Sequence, residues 1–257
     1  MQALFNDIKS VIEQGTPSVL CLVTETTGST PRKAGSKMLV FQDGSNKGTI
    51  GGGSIEYQAI QDASEMMSGA SPCKKSYHLK DDLNMQCGGT MEVYFEPIAC
   101  LPKLYIFGGG HIGKVLASFA APLGFRPIVI DQRQGIFDSW NIEGVETIND
   151  DYMKTLGNIK FDKNSYIVIV TPQHEFDEKI LFACAPLEYA YCGMIGSRRK
   201  VAVITKNALE QGVLTQEIID KIDMPMGLPM AAETPAEIAI SILAKLIDMK
   251  NSTKKHE

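Results

Sequence analysis

Hydrophobic and polar positions follow two styles along this chain. Near the start, Leu4, Phe5, Ile8, Val11 and Ile12 recur at helical spacing and predict an amphipathic helix, which Gly15-Thr16-Pro17 ends. Ser18 to Thr24 then reads as a buried strand, and Lys37 to Phe41 as a second one turned by Asp43-Gly44. Gly48-Thr49-Ile50-Gly51-Gly52-Gly53-Ser54 leads into a helical pattern from Ile55 to Met67, and two more strands are expected around Tyr77 and Val93. The proline-punctuated run from Glu96 to Pro102 sets the expected boundary between a domain over residues 1–100 and one over residues 101–257.

Beyond that boundary, strand and helix patterns repeat. Leu104 to Phe107 is an apolar strand that runs into Gly108-Gly109-Gly110-His111-Ile112-Gly113, and Val115, Leu116 and Phe119 continue at helical spacing. Pro127 to Ile130 is the next strand and ends on Asp131. A weaker strand is expected near Val145 to Ile148. The continuous apolar run Tyr166–Val170 suits a strand buried on both faces of a parallel sheet, and Tyr189 to Ile195 would be the next. Thr234-Pro235-Ala236-Glu237 places an N-cap Thr, a first-turn Pro and a capping-box Glu at the start of the last helix. The predicted fold class is α/β: an N-terminal mixed α/β domain followed by a Rossmann-like domain with a doubly wound parallel sheet.

Composition narrows the setting. With 257 residues the chain has enough core to fold without disulfide staples, and 44% apolar with 21% charged residues is ordinary for a globular protein. The net charge of −5 argues against non-specific nucleic-acid binding. Six cysteines show neither a C-x-x-C pair nor zinc-ligand spacing, and residues 1–7 do not read as a signal peptide, so the expected setting is a reducing cytoplasm. No apolar stretch approaches the length of a membrane span.

The glycine turn carries the clearest chemistry. Strand, G-x-G-x-x-G, helix, strand and acid form the context of a dinucleotide fingerprint. Gly108 permits the tight turn, Gly110 lets backbone approach a pyrophosphate, and Gly113 lets the helix lie close to the sheet. Asp131 stands where a ribose-binding acid would be, or caps a strand end. Arg133 nearby could instead face a phosphate, so the cofactor type stays open. His111 lies inside the turn, where it could touch a ligand or cap its helix. His174 follows the Tyr166–Val170 strand at the edge where open α/β sheets bind ligands, or is a surface loop residue. Gly51, Gly52, Gly53 and Ser54 form either a second anion nest or a packing turn. Arg198 and Arg199, at a helix start after a strand, could hold a phosphate or form a solvated basic turn. Cys87, beside Gly88 and Gly89, is either a reactive thiol or a small turn residue. Cys21, Cys184 and Cys192 lie in apolar runs as expected core residues, Cys73 and Cys100 in expected loops, and His256 in the tail. His78 reads as structural, and Met224, Met226 and Met230 as core filling or an adaptable surface.

Taken in order, several motifs resemble those of the xanthine dehydrogenase accessory family, XdhC/CoxI. They are Gly28-Ser29-Thr30-Pro31-Arg32, Gly48 through Glu56, Cys87-Gly88-Gly89 with Glu92-Val93 and Glu96-Pro97, Phe107 through Gly113, His174 with Asp177, Gly196 through Lys200, and Glu233-Thr234-Pro235. The resemblance spans nearly the whole chain. It departs at Ser54, where many relatives carry a cysteine, and at Gly227-Leu228-Pro229-Met230-Ala231-Ala232, which lacks a commonly present acid.

The resemblance implies a cytoplasmic accessory factor that binds molybdenum cofactor (molybdopterin) and promotes its maturation and insertion into a xanthine dehydrogenase-type molybdenum hydroxylase. It also implies a cysteine desulfurase-like sulfurase as a second partner, and a homodimer is expected. In that reading Gly51–Ser54 or Gly108–Gly113 holds the cofactor phosphate, Cys87 approaches the dithiolene or the molybdenum, and Arg198 and Arg199 hold anionic groups. No catalytic residue is assigned. The alternatives are an NAD(P)-dependent oxidoreductase, for which no Tyr-x-x-x-Lys pair is present, and a nucleotide-sensing interaction module.

Overall fold

In the computed structural model, residues 2–67, 71–80, 88–98 and 101–252 are described. The chain divides into two compact units, residues 1–101 and 102–257.

The first unit runs α1 (Gln2–Gln14), β1 (Ser18–Thr27), β2 (Lys37–Phe41), β3 (Asn46–Gly48), α2 (Gly53–Met66), β4 (Cys73–His78) and β5 (Thr90–Ile98). Its five strands form an antiparallel sheet in the order β3-β2-β1-β5-β4. β1 alternates buried and half-buried positions, as a strand does when one face is covered. On the covered face Val19, Cys21, Val23, Met38, Val93 and Phe95 meet Ile55, Ala59 and Ala63 of α2. The register of β1 against β5 shifts between Val23 and Glu25, a local irregularity of the bulge type. Cys73, expected in a loop, opens β4, because its pairing with Phe95 extends the sheet.

The second unit runs β6 (Lys103–Phe107), α3 (His111–Ala120), β7 (Arg126–Ile130), β8 (Glu146–Ile148), α4 (Tyr152–Asn158), β9 (Ser165–Ile169), α5 (His174–Cys184), β10 (Tyr191–Met194), α6 (Arg198–Glu210), α7 (Gln216–Ile219) and α8 (Pro235–Ser252). All five strands are parallel, in the order β10-β9-β6-β7-β8. Because side chains alternate faces, Leu104, Ile106, Val129 and Val168 pack with α3 and α8, whereas Tyr105, Phe107, Ile130, Ile167 and Ile169 pack with α4, α5 and α6. The sheet is therefore covered on both sides, as its continuous apolar runs require. The capping box forms: Thr234 accepts from the Glu237 N–H at 3.3 Å, and Glu237 accepts from the N–H groups of Thr234 and Glu233.

The chain leaves β6 outward to β7 and β8 and returns to β9 on the other side. That reversal opens a crevice at the carboxyl ends of β6 and β9, where open α/β sheets place ligands. Among the described residues, no helix is long and apolar enough to cross a membrane.

Candidate functional site

The carboxyl edge of the second sheet is built from the glycine turn upward. Gly108 has φ +120°, and a Cβ there would overlap the Val170 carbonyl, so β6 can turn beside β9 only with glycine. A Cβ on Gly113 would overlap the Gly108 carbonyl, which brings α3 down onto the turn. Gly110 is different. Among the described residues, only the Arg133 guanidinium comes within 4 Å of a Cβ built there, at 3.8 Å. The face of Gly110 is thus open, and no side chain of its N-cap position closes the start of α3 behind it. Helix N–H groups and dipole are directed to that opening.

Asp131 is fully buried, and its carboxylate is already engaged. Oδ2 accepts from the Gly109 N–H at 2.7 Å and from Arg133 Nη2 at 2.7 Å; Oδ1 accepts from the Arg133 N–H at 2.9 Å and from Nε at 3.0 Å. Burial opposes its ionisation. The Arg133 side chain and the Arg133 and Gly109 N–H groups outweigh burial and hold the carboxyl below its usual value. Of the two readings of Asp131, ribose acid or strand-end cap, the structure shows bonds that pin the glycine turn, because the N–H of Gly109 would otherwise be a buried donor without an acceptor. Arg133 is the exposed partner of the pair. Asn149 donates to the carbonyls of Asp131 and Arg133 at 2.7 and 2.9 Å and fixes the loop from the β8 side.

Across the crevice, Asp177 is buried in the first turn of α5 and accepts from the Thr171 hydroxyl at 2.6 Å and its N–H at 3.1 Å. Lys200, in the first turn of α6, donates to the Asp177 carboxylate and to the Ile195 carbonyl, the latter at 3.0 Å. Tyr152 is 1% exposed, with its ring against Phe107 and Phe176 and the charge of Asp131 nearby. Its hydroxyl makes no hydrogen bond of ordinary length and angle among the described residues, but lies close enough to the Asp131 carboxylate for a weak one. Burial, then the charge of Asp131, raises its pKa well above the ordinary phenol value.

The remaining predicted residues separate by exposure. His111 begins α3 and His174 begins α5, both exposed. Arg199 and His174 line one groove of about 370 Å³, with Ser197, Lys200 and Val203 among its other walls. Arg198 is exposed and does not line it. Lys200, rather than either arginine, turns into the protein. Helical spacing signals this weakly, since Lys200 shares a face with the buried Ile204.

In the first unit, Gly51, Gly52 and Gly53 all have positive φ, and a Cβ on Gly51 would sit 2.6 Å from Pro31. Gly89 likewise packs against the Gly28–Ser29 segment and donates to the Ser29 carbonyl at 3.0 Å. Of the N–H groups in the Gly51–Ser54 turn, that of Gly51 turns to Glu56 of α2, joined there by Ile50 and Thr49. Its carboxylate accepts from Ile50 N at 3.0 Å, Gly51 N at 3.1 Å and the Thr49 hydroxyl. These bonds outweigh the effect of burial and lower its pKa. Ser54 and Gly53 are exposed beside this turn, and the Thr30 hydroxyl is buried without a partner among the described residues. Cys87, Cys100 and His256 lie outside the described residues. Cys21 and Cys184 are buried thiols, each pushed up to about 12 by burial first, and Cys192 is raised by the same cause.

These features define a two-unit α/β protein whose second unit is a Rossmann-like domain with a crevice at its switch point. The XdhC Rossmann domain model matches residues 104–246, and the XdhC and CoxI family model matches residues 11–78. The chain belongs to the XdhC and CoxI family. It is 30% identical to the uncharacterized protein YqeB of Escherichia coli (strain K12), in an alignment of 257 positions that takes in 97% of this chain and 46% of YqeB. It is 26% identical over 162 residues to a probable xanthine dehydrogenase subunit of Bacillus subtilis (strain 168), covering 63% of this chain and 47% of that one. The chain thus spans just under half the length of these curated relatives. The crystal structure of a xanthine dehydrogenase from Bacillus halodurans superposes with a TM-score of 0.54 at 22% identity, covering 96% of each chain, a likeness of fold.

Proposed function

We propose that this chain is an accessory factor for a xanthine dehydrogenase-type molybdenum hydroxylase, binding molybdenum cofactor and promoting its maturation and insertion. Family membership and the name of the Bacillus subtilis relative support the link to xanthine dehydrogenase. The observation that carries ligand binding is the open face of Gly110 at the uncapped start of α3, bordered by the Arg133 guanidinium. These residues fit an anionic tail such as the cofactor's phosphate. When bound, the cofactor supplies the dithiolene and molybdenum chemistry of the client; the chain's own residues bind and orient it. Cys87 is the thiol proposed to approach the metal end. The partners in this reading are the client hydroxylase and a cysteine desulfurase-like sulfurase.

The test is to purify the protein from a host that makes the cofactor and to assay the pterin it releases. Near-stoichiometric pterin, reduced in Cys87→Ser, supports the reading. No pterin, under conditions that load a control protein, overturns it. An NAD(P)-dependent oxidoreductase is the rival, and turnover of a nicotinamide cofactor with a small substrate would favour it. The rival's usual ribose acid is Asp131, whose oxygens are already bonded to Gly109 and Arg133.

A further inference from the structure

Three facts about Arg133 converge. Its Nε and Nη2 are paired to Asp131, and among the described residues nothing bonds Nη1. A guanidinium carries five N–H donors, so this pairing fixes the plane of the fork and leaves donors on its outer edge. The side chain is 42% exposed while its partner is 0% exposed, so the cation faces outward from a rigid seat. It also stands at the edge of the open Gly110 face, where the helix N–H groups of α3 are uncapped.

A free ribose diol needs an acceptor at this position, the role an acid plays in ordinary dinucleotide sites. Asp131 has no outward face with which to act as one. A phosphate monoester needs donors and positive charge, and those are what Arg133 and α3 present. We propose that the Rossmann unit selects its ligand by a phosphate monoester gripped by Arg133, against the same ligand carrying a free hydroxyl there. This deepens the cofactor-binding reading, resting on its claim that the switch point is a ligand site.

The phosphate could belong to a 2′-phosphorylated dinucleotide or to a phosphorylated pterin, and calorimetric titration of the full chain has an arm for each. One arm compares NADP⁺ with NAD⁺. The other compares the oxidised, phosphorylated pterin released from a molybdoenzyme with the same pterin after phosphatase treatment. In at least one arm the phosphorylated member should bind about tenfold tighter or more. Arg133→Ala should abolish that preference, and Arg133→Lys should keep only part of it, since a point charge replaces a fork. Because Arg133→Ala strips Asp131 of its cation, circular dichroism accompanies each titration; the lysine variant and the wild-type comparison stand even if the alanine variant misfolds. Equal binding of both members in both arms, no binding in either, or a preference that survives in a folded Arg133 variant unchanged overturns the proposal. Pterin carried without any Arg133 dependence sinks this inference and leaves the cofactor-binding reading intact. NADP⁺ preferred through Arg133 by a protein that carries no pterin does the reverse.

Discussion

Lys200, in the first turn of α6, reaches back to the carboxylate of Asp177 in the first turn of α5, forming an ion pair whose side chains are 10% and 1% exposed. The pair ties the loops after β9 and β10 together at the carboxyl edge of the sheet. In so dry a setting, losing one partner strands the other charge. Lys200→Met should cost about 3–5 kcal/mol of stability. The double variant Lys200→Met/Asp177→Leu should recover part of that loss. Urea unfolding of the wild type, both single variants and the double closes the cycle; a Lys200→Met loss under about 1 kcal/mol would mean the pair is solvated.

Gly113 and Gly110 separate a packing role from a binding role. Gly113→Ala pushes a methyl group into the Gly108 carbonyl and should destabilise the protein by about 1–3 kcal/mol or more. Gly110→Ala meets no described atom closer than the Arg133 guanidinium, and its φ of −74° suits alanine, so its stability should change by less than about 1 kcal/mol. Thermal and urea unfolding measure both. Pterin loading should then fall in the folded Gly110→Ala protein, because the methyl group occupies the approach to α3.

Tyr152 gives a prediction of opposite sign to most core substitutions. Its buried hydroxyl makes no bond of ordinary geometry among the described residues and at most a weak one to Asp131, so Tyr152→Phe removes a poorly satisfied donor while keeping the ring against Phe107 and Phe176. The variant should be as stable as the wild type or up to about 1–2 kcal/mol more stable. A clear loss in urea unfolding would show that the hydroxyl is satisfied in solution.

Glu56 links the first glycine turn to pH. Its carboxyl is held below the ordinary glutamate value by Thr49 and the turn's N–H groups, which prevail over burial. A lowered folded-state pKa contributes stability that is complete above the unfolded value of about 4.3 and is lost as pH falls through the folded one. Wild-type stability should therefore drop on acidification through that window. Glu56→Gln should be less stable at neutral pH and show a shallower acid limb, measured by urea unfolding from about pH 3 to about pH 7. An unchanged limb would separate Glu56 from the turn.

Local patterns carried much of this molecule. The apolar runs Leu104–Phe107 and Tyr166–Val170 show a sheet buried on both faces because burial on both faces leaves no room for alternation. The spacing of Gly108, Gly110 and Gly113 shows the turn, and Thr234 with Glu237 shows the start of α8, because both depend on neighbours a few residues apart. Contacts between distant segments were not legible in this way. That Asp131 faces inward follows from the Gly109 N–H, 22 residues away, meeting it at the sheet edge. That Lys200 and not Arg198 or Arg199 is buried follows from Asp177 of another helix. The Gly51 turn is pinned by Glu56 only five residues on, a local contact whose spacing alone does not tell an internal acceptor from an external anion. The short helix that carries Tyr152 has too few turns to print a periodic pattern, so the packing of its ring against Phe107 and Phe176 emerges only when the sheet and α5 are assembled. Spacing along the chain determines which turns and helices can form; only the folded sheet decides which of their charges are spent inside and which, like Arg133, remain for a guest.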